Sequence, residues 1–128
     1  MSSELTARLD RVVAATFAEG FTVLETDLRE NPPRYSVLIG STADPSRTAS
    51  IRLDGVWLEA FIPELDVQCA LLDDGDGSDA DLDLRRLCSA LRVDLRGEAC
   101  IAQRPRFLRP GMKTTVRIDL DGRRWSLT

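Results

Sequence analysis

Two Asp-Gly pairs, each set between runs of alternating apolar and polar residues, constrain this chain more than anything else in its sequence. Asp54-Gly55 separates residues 50–54 from residues 56–62, and Asp121-Gly122 separates residues 114–120 from residues 123–127. An Asp-Gly pair favours the positive φ angles of a tight hairpin turn, whose twist matches that of two antiparallel strands. Across the second pair, Trp125 and Leu127 share a face with Val116, Ile118 and Leu120. Alternation of this kind, repeated through consecutive hairpins, describes an antiparallel sheet with one face on a core.

The rest of the chain reads around these hairpins. Leu5, Leu9, Val12, Val13 and Phe17 recur at helical spacing, which predicts an amphipathic helix over residues 4–18, capped by Ser2 or Ser3 and stopped by Gly20. Leu82, Leu84, Leu87, Cys88 and Leu91 predict a second over residues 80–92. Further strands are expected at residues 21–26, 35–39, 67–72 and 99–103. A chain-breaking turn is expected at residues 29–33, Arg29-Glu30-Asn31-Pro32-Pro33. Helices do not alternate with the strands, since only the second helix stands between two of them, so repeated parallel winding is excluded. The expectation is a single α+β domain over residues 1–128, with a predominantly antiparallel sheet of six to eight strands and both helices on one face.

The residue inventory removes several chemistries. The chain has no histidine and only one lysine, Lys113, against sixteen arginines. There is therefore no Ser-His or Cys-His pair to activate a nucleophile, and no imidazole to hold a transition metal. The arginine bias reads as the mark of a GC-rich bacterial genome. Cys69, Cys88 and Cys100 are odd in number and widely spaced, which suggests neither a disulfide framework nor a zinc site. No apolar run reaches the ~20 residues that span a bilayer, and Met1-Ser2-Ser3-Glu4-Leu5 does not open a secretory signal. A cytoplasmic address is expected.

Four segments invite a functional reading. Gly75-Asp76-Gly77-Ser78-Asp79-Ala80 matches the spacing of a dinucleotide-binding loop, but six aspartates between positions 73 and 83 would repel a pyrophosphate. The same aspartates fail as a calcium loop: starting at Asp74 puts Asp79 where glycine is required, and starting at Asp79 puts Leu84 there. They read instead as a solvated loop leading into acidic residues at a helix N-terminus. No metal and no cofactor is expected.

The third segment is the basic loop over residues 104–111. Arg104, Arg106 and Arg109 surround Phe107 between two prolines, and Lys113, Arg117, Arg123 and Arg124 follow in the next hairpin. Such clusters suit phosphate or an acidic protein surface, although the net charge of −4 argues against general nucleic-acid affinity. The fourth is residues 56–62, apolar on both faces, with Trp57, Glu59 and Phe61 on one side. If helices cover only the other side, this face marks an interface. Glu59 between two aromatics is a candidate acid or base, since desolvation there would raise its pKa.

Charge divides the chain: residues 1–64 and 65–92 each carry a net −4, and residues 93–128 a net +4. An acidic body with a basic third suits binding between proteins. In overall organisation the profile is similar to bacterial secretion chaperones and toxin-immunity proteins. The expected function is stoichiometric protein binding, escort-like or toxin-neutralising, to another protein or to a second copy as a homodimer. Trp57, Phe61, Arg104, Arg106, Phe107, Arg109, Arg123 and Arg124 are the binding candidates, and no residue is assigned a catalytic role. The alternative is a phosphate-bearing ligand held by the arginine loop, and the third a carboxylate enzyme around Glu59.

Overall fold

A computed structural model describes residues 2–54, 57–72, 80–105 and 111–128. Helix α1 (Ser2–Thr16) turns Leu9, Val12 and Val13 to the interior, with Phe17 buried just past its end. Eight strands and a second helix follow: β1 (Phe21–Glu30), β2 (Pro33–Ser41), β3 (Thr48–Leu53), β4 (Trp57–Ile62), β5 (Val67–Leu72), α2 (Ala80–Leu95), β6 (Cys100–Pro105), β7 (Met112–Leu120) and β8 (Arg123–Leu127). A 3-10 turn, Pro63–Leu65, separates β4 from β5. The class is α+β with antiparallel pairing throughout, as the hairpin signals demand.

The hairpins form where the Asp-Gly pairs stand. Asp121 and Gly122 both have positive φ, 52° and 75°, the backbone that an Asp-Gly turn accepts at least cost. The register beyond it sets Ile118 against Trp125 and Val116 against Leu127. At the other hairpin Leu53 pairs with Leu58, and the Trp57 amide donates to the Asp54 carboxylate at 2.6 Å.

The strands form two sheets rather than one. β1 to β5 pair in chain order in the first, and β6 to β8 in the second. The chain leaves the first sheet through α2, which packs against β3, β4 and β7 and so serves both. The sheets also meet directly where β5 lies against β7 and β8, and there Gln68 and Thr128 exchange backbone hydrogen bonds of 3.0 and 3.1 Å.

Several boundaries move from those expected. Ser2 and Ser3 lie within the first turn of α1 instead of preceding it, and α2 runs on to Leu95. β1 continues through Arg29 and Glu30, so the break is only Asn31-Pro32, joined by a cis peptide bond, and Pro33 opens β2. Proline is tolerated there because the first residue of a strand need not donate to the ladder. Arg104 and Pro105 belong to β6, not to a loop.

Both helices lie on one face of the first sheet. Tyr35, Val37 and Ile39 of β2, Ile51 and Leu53 of β3, and Leu58 and Ile62 of β4 turn toward them and are fully buried. Leu84, Leu87, Leu91 and Leu95 supply the matching stripe of α2, and Val116, Ile118, Trp125 and Leu127 close the core from the second sheet. Each large aliphatic side chain buried in this way contributes about 1.5–3 kcal/mol. One polar tie crosses the layer: the Tyr35 hydroxyl donates to Asp10 of α1 at 2.8 Å. Burial, with Asp10 beside it, pushes the Tyr35 phenol up to about 12. No helix among the described residues is long and apolar enough to cross a membrane.

Candidate functional site

Since the helices cover one face of the first sheet, alternate residues of β1 to β5 point the other way. On β4 these are Trp57, Glu59 and Phe61. Trp57 is 43% exposed, a large value for an indole on a central strand, and Phe61 is half-buried. Ser50 and Arg52 flank them on β3 and Gln68 and Ala70 on β5. Neither aromatic is core. Glu59 faces Arg52 across the strands at 3.3 Å, both side chains partly exposed, and so is a paired surface carboxylate.

The open face continues to the molecular edge. Glu25 lies opposite Leu38 and Asp27 opposite Ser36. With Ser50 and Phe61 these four residues line a hollow of about 250 Å³. Beside it, Leu24 bulges out of the ladder and rests on Gly40, where a Cβ would lie 2.8 Å from its Cδ1. Glycine at position 40 is what lets Leu24 lie down on the sheet.

The second sheet presents a face of different charge. Cys100 and Ala102 of β6, Lys113, Thr115 and Arg117 of β7, and Arg124 and Ser126 of β8 share one side. Asp119 is the acidic group among them, paired to Arg124 at 3.0 Å. Thr128, in step with Arg124 and Ser126, bonds Gln68, so the basic face joins the open face of the first sheet at that pair.

The structure divides the basic residues expected to cluster. Arg104 pairs with Lys113 at one end of the β6–β7 hairpin, while Arg123 and Arg124 pair with Leu120 and Asp119 at the other end of β7, roughly 20–24 Å away at the usual rise per strand residue. Arg123 lies on the opposite side from Arg124, stacked over Trp125 at 4.5 Å from the ring centroid. It borders a hollow of about 260 Å³ with Arg86 and Asp121. Arg106, Phe107 and Arg109 lie outside the described residues, as do residues 73–79, which hold most of the dinucleotide-loop and calcium-loop matches.

One cluster has no counterpart in the sequence reading. The turns after α1, β2 and α2 converge on a cleft of about 620 Å³ lined by Glu19, Ser41, Asp44, Arg47 and Gly97. Arg47 ties it together. Its Nε meets Asp44 at 3.1 Å and its Nη1 donates to the Asp94 carbonyl at 3.4 Å. Gly97 has φ +77°, and a Cβ there would fall 3.2 Å from the same guanidinium. The side chain of Asp94 is itself buried, 1% exposed, and its Oδ1 has no hydrogen-bond partner among the described residues. Desolvation, with Glu64 nearby and Arg47 opposing, pushes its carboxyl up to about 6. In the sequence Asp94 is one more acid, two residues past the end of the expected helix; only the extension of α2 to Leu95 and its packing against the sheet bury it.

The three cysteines are free. Burial pushes the Cys69 thiol up to about 11 and the Cys88 thiol up to about 12, so neither is a thiolate near neutrality. Cys100 alone is exposed. Iodoacetamide at pH 8 is therefore expected to label one site on the folded protein, Cys100, and all three in denaturant. Fast labelling of Cys69 or Cys88 in the native state, by intact mass and peptide mapping, would show that the thiols are not buried as described. Among the described residues no group of three or more metal-binding side chains converges.

Fold and surface together define an α+β domain that keeps one sheet face and one long strand edge open. Comparison with known protein families, curated proteins and solved structures finds no match.

Proposed function

We propose that this chain is a protein-binding module that acts by stoichiometric complex formation through the open face of its five-stranded sheet. Trp57 carries the reading. An indole left 43% exposed beside the half-buried Phe61 keeps apolar area in water that a partner would remove, and tryptophan is the side chain most enriched among residues that dominate protein interfaces. The basic face beyond Gln68 and Thr128 would steer and orient the partner, since rim charges act mainly on association rate and its salt dependence. Escort of a partner and neutralisation of a toxin both belong to this class. A second reading, a phosphate-bearing ligand, has a separate support in Lys113 and Arg117, which line a shallow hollow of about 110 Å³ on the basic face.

Trp57→Ala tests the first reading. Because the indole is half in solvent, the variant is expected to keep its thermal unfolding within a few degrees of the wild type. The affinity for the partner retained by the wild-type chain should fall by about thirtyfold or more, the usual loss when a central aromatic is truncated. Arg117→Ala should change the same complex modestly and only at low salt. A complex indifferent to Trp57→Ala, or a variant that melts far below the wild type, would contradict this use of the face. Salt-sensitive binding of polyphosphate that Arg117→Ala abolishes would favour the second reading.

A further inference from the structure

The long edge of the first sheet carries an inference that rests on the protein-binding reading and gives the partner a chemistry. β1 is the outermost strand, ten residues long, and nine of its ten residues are exposed. Edge strands are ordinarily blunted by charged side chains, lysine above all, and by proline, shortness or bulges, because their free N–H and C=O groups template a further strand. β1 has neither lysine nor proline and a single bulge at Leu24. Its charges, Glu25, Asp27, Arg29 and Glu30, are acidic but for one, so they would repel an acidic segment and admit a basic one. It also leaves Val23, Leu24 and Leu28 exposed at 51%, 53% and 43%. Its two faces differ: Val23 and Leu28 align with Ile39 and Tyr35 on the helix side, while Glu25 and Asp27 align with Leu38 and Ser36 on the open side.

We infer that β1 accepts an extended segment of the partner protein as an added strand, with apolar residues on its helix side and lysine or arginine on its open side. The backbone ladder would supply the attachment, as in other strand-addition complexes. Charge complementarity sets the pattern. Asp27 is already shared with Arg29 at 3.3 Å, but Glu25 and Asp27 also line the hollow that runs to Phe61. A long basic side chain from an added strand reaches into that hollow and connects the edge to the open face.

A second copy of this chain fits the edge less well. In a two-fold antiparallel pair, residues of the same face oppose each other. Centring on Glu25 sets it against itself, centring on Asp27 does the same to Asp27 although two Glu25–Arg29 pairs flank it, and centring on Thr26 sets Glu25 against Asp27. Centring on Leu28 does form two Asp27–Arg29 pairs, but the Asn31-Pro32 turn then ends the overlap after Glu30. Like charges directly opposite destabilise a strand pair.

The test uses the full chain and the peptide acetyl-Thr-Val-Lys-Val-Arg-Val-Lys-Thr-amide, followed by backbone NMR and amide exchange. Binding is expected to slow exchange along alternate amides of β1. The same peptide N-methylated along its backbone, which keeps charge and side chains but cannot build a ladder, should bind roughly tenfold more weakly or worse. Glu25→Lys should weaken the parent peptide by roughly tenfold or more while its spectrum stays folded. Equal binding of the methylated peptide, or no binding at about 1 mM, would overturn the inference. So would a wild-type dimer, seen by sedimentation, that Glu25→Lys dissociates. Perturbation confined to the Trp57 indole would also overturn it, and would leave the open-face reading standing.

Discussion

Leu91→Ala is expected to cost about 2–5 kcal/mol of unfolding free energy, the range for removing a buried leucine and leaving a partly relaxed cavity. Leu91 is 0% exposed and lies in the helix that packs against strands of both sheets. Together with the direct contact of β5 against β7 and β8 and the Gln68–Thr128 backbone pair, that packing joins the two sheets. A cavity there should loosen both sheets together, so one cooperative transition should move down by on the order of 10 °C or more. Urea melts followed separately by far-ultraviolet circular dichroism and by tryptophan fluorescence make the check. The two tryptophans are placed for it, Trp57 on the first sheet and Trp125 in the core of the second. Coincident curves shifted to lower urea are expected. A variant whose two probes separate would mean that the sheets unfold independently and that α2 does not couple them.

The hairpins, both helices and the α+β class were legible because each rests on a local signal. Asp121-Gly122 sets its own turn, and the stripe of Leu84, Leu87 and Leu91 sets its own helix. β1 was read too short for a physical reason. The bulge at Leu24 breaks the alternation of an edge strand with almost no buried position, and Leu24, Asp27 and Glu30 therefore look like the approach to a turn. The division into two sheets was not legible, because it depends on where α2 docks and not on any strand's own pattern. Trp57 and Phe61 stood out because their strand is apolar on both sides. Which side lies open is decided by helices far away in sequence. The basic residues were grouped because they follow one another in the chain. Strand length, which carries Arg123 and Arg124 to the far end of β7, separates them. The convergence of Glu19, Asp44, Arg47 and Gly97, and the burial of Asp94 next to it, join residues up to 78 positions apart and leave no trace in local pattern.

Asp94→Asn is expected to stabilise the protein at alkaline pH and to change little at acid pH. The folded-state carboxyl titrates at about 6 against an ordinary 3.8, mainly because burial penalises the charge and secondarily because Glu64 is near. Asp94 is also the penultimate residue of α2, where the helix dipole disfavours an anion. A group whose folded pKa is raised binds its proton more tightly in the native state. It therefore adds stability that is fully present below about 3.8 and is lost as pH rises through about 6. Above both values the ionised aspartate leaves the wild type about 2–3 kcal/mol less stable than it would be with a neutral side chain of the same shape. Asparagine is that side chain. It keeps the volume and leaves the Arg47 bond untouched, since Arg47 reaches the backbone carbonyl of residue 94. Unfolding free energies of wild type and variant, measured in urea from pH 4 to pH 8, should lie close together at the acid end. They should separate between about pH 4 and pH 6.5, with the variant higher. Taking the difference cancels carboxylates elsewhere that titrate alike in both proteins. Two parallel curves would mean that Asp94 titrates as an ordinary carboxylate and is hydrated. A variant less stable at pH 8 would mean that the Asp94 charge is compensated in the folded protein, with Arg47 outweighing both burial and Glu64.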